Sequence, residues 1–304
     1  MCLAPIALFV YNRPQHTQKV LRALSACEEA KDSELFIFAD GAKKDASKQE
    51  RDKIKETRNI IRTSGGFKTK NIVVSERNKG LALSIINGVR HILNKYDKII
   101  VLEDDLVCSP WFLTYMNMAL DIYEKENRII SISGYIYPIR KKLPETFFLR
   151  GADCWGWATW KRGWDIFNED GSKLLAEIKS KGLEFDFDFY GSYPYTKMLR
   201  HQIEGKNSSW AIRWYASAYL KNKLTLYPNQ SLIQNIGMDN SGVHCESSNA
   251  WDINLLQKCP DFEKLEVKEF KQGKFLVADF FLKTQKKYFR KKIKLYLKKI
   301  WMRN

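Results

Sequence analysis

Over the first 135 residues, short unbroken apolar runs alternate with longer stretches in which apolar positions recur every three to four residues. Ile6 to Tyr11 is a short apolar run that stops at Asn12-Arg13-Pro14, the pattern of a buried strand followed by a turn. Pro14 suits the first turn of a following helix, whose apolar face is Val20, Leu21 and Leu24. Leu35 to Ala39 reads as a second strand, ending in Asp40-Gly41. A charged helix is predicted from about Ala46 to Arg62, broken by Gly65-Gly66. Asn71 to Ser75 is a third strand, and Leu81 to Leu93 has helical spacing. Lys98 to Leu102 is a fourth strand that runs into Glu103-Asp104-Asp105. Pro110 opens another helix, and Ile129 to Ser133 is a fifth strand.

Strands that alternate with helices of this length predict an α/β fold, a mostly parallel sheet flanked by helices on both faces. Ligands of such sheets sit beyond the carboxyl ends of the strands. Three polar clusters fall there: Asn12-Arg13, Asp40-Gly41 and Glu103-Asp104-Asp105. No G-x-G-x-x-G follows the first strand and no G-x-x-x-x-G-K-[ST] occurs, which argues against a nicotinamide enzyme or a P-loop NTPase. The second half is less regular and shows no internal repeat. Trp155, Trp157, Trp160 and Trp164 crowd one stretch, Glu184 to Tyr195 reads as an aromatic, acidic loop, and Ser208 to Leu220 has helical spacing. Leu224 to Tyr227 reads as a strand and Asn235 to His244 as a Gly-containing loop.

Composition narrows the class. In 304 residues, a hydrophobic fraction of 44% is enough for a sizeable core and excludes wholesale disorder. No apolar run reaches the roughly 18–20 residues of a membrane span. The first ten residues lack a basic region, so no secretory signal is expected. Six scattered cysteines with no C-x-x-C pair offer neither a zinc ribbon nor a disulfide framework, so a reducing cytoplasm is the expected setting. The net charge of +16 suggests nucleic-acid binding until it is located. Residues 271–304 hold 12 Lys/Arg and one acid, leaving 39 basic and 34 acidic residues in the rest. Leu282, Phe289, Ile293, Tyr296 and Ile300 recur at helical spacing among those cations. A basic amphipathic helix of this kind suits an anionic membrane surface, a partner-docking helix, or nonspecific nucleic-acid contact. Membrane association is the expected use, with no specific nucleic acid.

Three consecutive acids in a strand-to-helix turn repel one another unless a cation or strong donors compensate. Oxygen donors of this kind suit Mn²⁺ or Mg²⁺ held by one or two carboxylates plus substrate phosphates. The bland reading is a capping cluster for the helix near Ser109 and Pro110. Ile99 to Leu106, an apolar strand running into Glu-Asp-Asp-Leu, resembles the metal-binding segment of GT-A-fold glycosyltransferases. The likeness is to the β-1,2-N-acetylglucosaminyltransferase I type and to bacterial family-2-like sugar transferases. It extends over roughly residues 5–245. Ala7 to Leu24 is similar to that family's nucleotide-binding start, and Phe38-Ala39-Asp40-Gly41 to its uracil-contacting segment. Arg150 to Trp160 resembles its acceptor-side motif, and Trp210 to Trp214 with Asn235 to His244 the C-terminal part of its site.

The resemblance implies a GT-A (Rossmann-like) fold with a UDP-sugar as donor. Arg13 would then lie beside the nucleotide and Asp40 would accept from the uracil imide. Glu103 and Asp104 would contact sugar or ribose, while Asp105, and His244 from its loop, would hold the metal. Read alone, Arg13 and Asp40 also suit plain turns, and His244 an exposed loop; His16, His91 and His201 read only as helix or surface positions. Inverting transfer needs a carboxylate to deprotonate the acceptor hydroxyl. The family's Asp just after a Trp is absent, since Trp210 is followed by Ala211 and Ile212. Glu204, Asp153 and Asp239 remain as candidates, with Glu204 favoured slightly and Asp153 next. Of the tryptophans, one or two are expected to face a saccharide and the others to be packing.

The expectation is therefore a catalytic domain over 1–270, its nucleotide-binding part about 1–135 and its acceptor-side part about 136–270, followed by a basic amphipathic helix over 271–304. It would be a metal-dependent, inverting glycosyltransferase acting on a glycan or lipid-linked glycan in bacterial surface-polysaccharide assembly, peripheral on the cytoplasmic face of the membrane. The rival readings are a catalytically inactive nucleotide- or glycan-binding module of the same fold, a nucleotidyltransferase, and a basic nucleic-acid protein.

Overall fold

A computed structural model describes residues 3–239, 251, 253–260 and 263–285. The first half forms β1 (Ile6–Val10), α1 (Pro14–Ser25), β2 (Glu34–Ala39), α2 (Lys48–Thr63), β3 (Thr69–Val74), α3 (Leu81–Leu93), β4 (Lys98–Glu103), β5 (Leu106–Cys108), α4 (Phe112–Ile122) and β6 (Ile129–Ser133). The second half adds β7 (Thr146–Arg150), β8 (Trp157–Trp160), α5 (Lys161–Trp164), α6 (Gly171–Ser180), α7 (Glu184–Phe187), α8 (Tyr195–Ile203), α9 (Ala211–Leu220), β9 (Leu224–Pro228) and β10 (Ile233–Asn235). Residues 271–285 are also helical.

Eight strands form one sheet in the order β3-β2-β1-β4-β8-β6-β9-β7, and β5 pairs with β10 in a separate two-stranded ribbon. β1 pairs in parallel with β2 and β4, β2 with β3, and β6 with β9. β8 runs antiparallel to β4 and β6, and β7 antiparallel to β9. The mostly parallel, helix-flanked sheet expected from the alternation of elements is thus the one observed.

Both faces of the central strands are buried, which is why they read as continuous apolar runs instead of alternating ones. Ile6, Leu8 and Val10 of β1 enter one core layer with Leu21, Leu24, Phe112 and Met116 of the covering helices. Ala7 and Phe9 enter the opposite layer with Ile85, Val89 and a group of tryptophans. A third cluster gathers β7, α6, α9 and the C-terminal helix.

The Glu184–Tyr195 stretch is not wholly a loop, because α7 forms within it and α8 begins at its end. The tryptophan stretch supplies β8, whose four residues are all buried. Trp157, Trp164, Trp210 and Trp214 pack together with ring centroids 5.2–6.3 Å apart. Trp160 is buried on the other face, its Nε1 donating to the Leu120 carbonyl at 3.2 Å. Trp155 alone of the four is partly exposed.

The proposed boundary at residue 271 does not separate the structure. Leu276, Val277, Ala278 and Phe281 of the C-terminal helix are buried in the third core cluster. Lys274 is only 3% exposed. Its Nζ lies 2.7 Å from Asp186 Oδ1 and 5.0 Å from the Tyr190 ring centroid. The basic amphipathic helix expected over 271–304 falls partly within the described residues, and from residue 286 onward it lies outside them. No helix among the described residues is long and apolar enough to cross a membrane.

Phe281 is 1% exposed, whereas Phe275, less than two turns away on the same helix, is 62% exposed. Phe281→Ala is expected to lower unfolding free energy by about 3–5 kcal/mol, and Phe275→Ala by less than about 0.5 kcal/mol. Urea unfolding of the two variants measures the contrast.

Candidate active site

The sheet order places the ends of β2, β1 and β4 side by side, so Asp40, Arg13 and the triplet Glu103-Asp104-Asp105 share one edge. Phe9 of β1 lies opposite Glu103 in the parallel register, which brings the chain after β1 to the acids after β4. Pro14 starts α1 immediately after Arg13, fixing the turn. The Arg13 guanidinium bridges two acids: Nη2 pairs with Asp104 Oδ1, and Nη1 lies 2.9 Å from Asp105 Oδ2. The Tyr11 amide donates to Asp104 Oδ2 at 3.2 Å.

One cation among three carboxylates leaves negative charge uncompensated. Burial, then Asp105 and Asp104, push the Glu103 carboxyl up to about 8, with Arg13 opposing. Burial also raises Asp104 despite its ion pair with Arg13. Burial disfavours the Arg13 charge, but Asp104 and Asp105 outweigh it and hold the guanidinium above its ordinary value.

Asp40 is turned into the protein. Its carboxylate accepts from the amides of Gly41 at 2.8 Å, Lys79 at 2.9 Å and Gly80 at 2.9 Å, and from Asn78 Nδ2 at 3.0 Å. Its observed work is to pin the segment before α3. A base contact by this carboxylate would compete with four donors already in place, which weighs against the uracil-imide role expected for it.

A cavity of about 200 Å³ opens beside the acidic edge, walled by residues that include Tyr137, Asp153, Trp155, Tyr195, Met238 and Trp251. Asp153 reaches it because β8 is antiparallel. Trp157 lies opposite Val101, so the chain preceding β8 extends past the end of β4 toward Glu103. Burial pushes the Cys154 thiol well up, and the charges of Asp153, Glu103 and Asp105 add to that effect, so cavity and acids share one electrostatic environment.

The segment after β10 joins the two. The Ile236 amide donates to the Asp105 carbonyl at 2.8 Å, and Asn235 Oδ1 accepts from the Gly237 amide at 2.8 Å. Gly237 is packed so closely that a Cβ there would overlap Asp105 Oδ2 and lie 3.0 Å from Arg13 Nη1. His16, in the first turn of α1, holds this segment: its Nε2 lies 3.2 Å from the Ile236 carbonyl and 3.1 Å from Asp239 Oδ2. Met238 then forms part of the cavity wall.

The acceptor-side carboxylates separate sharply. Glu204 sits at the C-cap of α8. Its side chain is 39% exposed and 2.6 Å from Lys206 Nζ, which pulls its carboxyl below the usual range. A solvated, ion-paired, weakly basic group is poorly suited to deprotonate an alcohol, which weighs against the role expected for Glu204. Asp153 lines the cavity with its carboxyl raised by burial, an effect opposed by the Cys154 and Trp155 amides and the Tyr137 hydroxyl. Ala211 and Ile212, which follow Trp210, line the same cavity. The carboxylate in this space therefore comes from a different segment of the chain. His244 lies outside the described residues. Among those residues, no group of three or more His, Cys, Asp and Glu side chains forms a ready-made metal cluster.

The expectations made from sequence did not single out His16, Gly237, Tyr137 or Trp251 as site residues. Of these, Gly237 had a local signal. Asn-x-Gly after a short apolar strand permits an Asn side chain to cap the amide two residues on.

No protein-family model matches the chain, and no curated protein matches it in sequence. The chain is similar to the crystal structure of S. aureus TarS, with TM-score 0.41 and 12% identity, over 75% of this chain and 36% of that one. It is similar to UDP-glucose pyrophosphorylase complexed with UDP-glucose, with TM-score 0.36 and 15% identity, over 75% and 90% of the two chains. Glucosyl-3-phosphoglycerate synthase from Mycobacterium tuberculosis, in complex with Mn²⁺, UDP and glucosyl-3-phosphoglycerate, gives TM-score 0.35 and 12% identity over 59% and 67%. The chain spans about a third of TarS. Likeness of this degree carries no argument about chemistry, which rests on the geometry above.

Arg13→Met should leave Asp104 buried without its cation and destabilise the protein by about 3 kcal/mol. Adding Asp104→Asn should recover part of that loss, because the two side chains are coupled. Chemical denaturation of the single and double variants measures both effects.

Proposed function

We propose that the chain is a metal-dependent, inverting glycosyltransferase that moves a hexosyl or N-acetylhexosaminyl group from a UDP-sugar to a glycan or lipid-linked glycan. The observation that carries this reading is the juxtaposition of an under-neutralised acidic edge with an aromatic cavity, bridged by Gly237 and Met238. Sugar rings pack on aromatic faces, and a diphosphate leaving group needs its growing charge neutralised. Inversion is taken from the resemblance to inverting relatives.

The donor set fits a hard divalent cation in chemistry and charge: three acids served by one guanidinium, with the Glu103 carboxyl driven up by burial and then by Asp105 and Asp104. Asp105 would hold Mn²⁺ or Mg²⁺ with one carboxylate, donor phosphates supplying further oxygens, and His244 is the second protein ligand in this proposal. Such an ion, when bound, supplies Lewis-acid stabilisation of the departing UDP. The chain's own residues do the rest. Arg13 orients Asp104 and Asp105 and faces the nucleotide, Glu103 and Asp104 contact sugar or ribose, and Asp40 keeps the preceding loop of α3 in place beside the base. Asp153 is the carboxylate on the acceptor side.

Residues 286–304 carry nine Lys/Arg and no acid. We assign them to the anionic cytoplasmic face of the membrane, where surface-polysaccharide intermediates on lipid carriers are elaborated. Each cation near such a surface contributes roughly 1 kcal/mol. A chain ended at Gln285 should sediment with anionic vesicles far less than the full chain, while donor turnover persists. Equal sedimentation of the two chains would remove the membrane assignment.

A panel of UDP- and GDP-sugars should give nucleotide release that depends on added Mn²⁺ or Mg²⁺. Asp105→Ala should lower that release at least about 100-fold, while Glu204→Gln stays within twofold of the parent. Wild-type turnover in Asp105→Ala would sink the metal assignment. Ala211 and Ile212 on the cavity wall favour one second reading, a module that binds nucleotide or glycan without turnover. Calorimetric UDP binding with no release from any donor would select it.

A further inference from the structure

Four aromatic side chains at the cavity form a closed circuit of edge-to-face contacts. Tyr135 meets Tyr137 at 5.4 Å between centroids, Tyr137 meets Trp251 at 5.8 Å, Trp251 meets Trp155 at 6.0 Å, and Trp155 returns to Tyr135 at 4.6 Å. Asp153 stands against this circuit, its Oδ2 accepting from the Tyr137 hydroxyl at 3.4 Å. Its Oδ1 accepts from the Cys154 amide at 2.7 Å. The other group acting on it is also neutral, the Trp155 amide.

Arg150 is the one cationic residue among the described lining residues, and it is directed elsewhere. Its guanidinium carbon lies 4.0 Å from the Tyr219 ring centroid, and its Nε donates to the Tyr219 carbonyl at 3.0 Å. The cavity therefore combines aromatic walls with a carboxyl group that has no cationic partner among the described residues, beside an edge where one guanidinium serves three acids.

Aromatic faces attract a cation through their quadrupole, most strongly when water is excluded, and a buried carboxylate supplies the opposite charge. Asp153 is the one acidic residue among the described lining residues, so the negative charge on this wall is concentrated at a single carboxyl group. We propose that the cavity binds an ammonium group, and that the acceptor carries one, as a free amino sugar or an alkylammonium substituent. The assignment to the acceptor rests on the glycosyltransferase reading, whereas the binding of an ammonium does not. On this reading Asp153 anchors the substrate and is not the base that takes the acceptor's proton, so its substitution should act on acceptor KM more than on kcat.

Choline and its neutral isostere 3,3-dimethylbutanol test this on the full-length wild-type protein. The readouts are calorimetry and tryptophan fluorescence at matched ionic strength. Choline should bind saturably, and the isostere at least tenfold more weakly. Asp153→Asn, checked for an unchanged unfolding transition, should weaken choline at least tenfold and leave the isostere unaffected. Equal binding of the two probes, or no saturable choline response, would overturn the proposal without recourse to any variant. Donor hydrolysis without choline binding would remove this proposal alone. Choline binding without turnover of any donor would leave the ammonium site standing and remove the transferase reading.

Discussion

The Arg13 bridge between Asp104 and Asp105 is the constraint on which the rest of the site depends. A run of three acids at the buried end of a strand is unfavourable in a folded chain unless positive charge is brought to it. Here that charge comes from the strand next door. β1 and β4 are parallel neighbours in register, so the turn after one necessarily meets the turn after the other. Sheet pairing and ion pairing therefore specify the same arrangement. The absence of a side chain at Gly237 lets the segment after β10 close onto that pair. One guanidinium still does not satisfy three crowded acids, Glu103 is driven to hold its proton, and this unmet demand for positive charge is the chemical character of the edge.

Antiparallel β8 has a consequence that a wholly parallel sheet would lack. In a parallel β8, the residues preceding the strand would emerge at the opposite edge, away from the acids. Reversing the strand sends Asp153, Cys154 and Trp155 to the edge where β4 ends. The tryptophans of β8 and its surroundings make that reversal stable. Trp157 fills one face of the sheet with Trp164, Trp210 and Trp214, and Trp160 fills the other. Most of the aromatic cluster is thus scaffold, and Trp155 is the member left to the cavity.

The first half of the fold was legible because both faces of its central strands are buried, so apolar runs mark them directly, while β3 at the sheet edge is largely exposed. α3 and β6 begin and end where the periodicity places them. The second half was less legible for a physical reason. α6, α7 and α8 bury narrow faces against a shared aromatic cluster, and their apolar residues serve several partners at once. The acidic edge could be read from strand ends alone, because charge at a buried turn is locally conspicuous. Glu204 could not be distinguished from Asp153 in the same way. Both are acids near tryptophans in sequence, and only the tertiary fold shows one in solvent with Lys206 and the other in the cavity. Asp40 is similar: four donors from two segments converge on it, and the donors at residues 78–80 are distant in sequence.

The basic C-terminal region also divides differently in space than in sequence. Of the cations after residue 270, Lys274 is buried and bound to Asp186, so it belongs to the body and neutralises an acid there. Phe281 closes the cluster that backs the aromatic cavity and lies 4.8 Å from Tyr137 between ring centroids. The first part of the apparent tail is therefore structural, and it reaches the cavity wall. The remaining cations lie in residues 286–304, a shorter and more uniformly basic stretch of sequence than the region first marked by composition. Under the proposed function, an attachment that begins where the cavity's backing helix is anchored would couple a membrane surface to the cavity, the place assigned in that proposal to a lipid-linked acceptor.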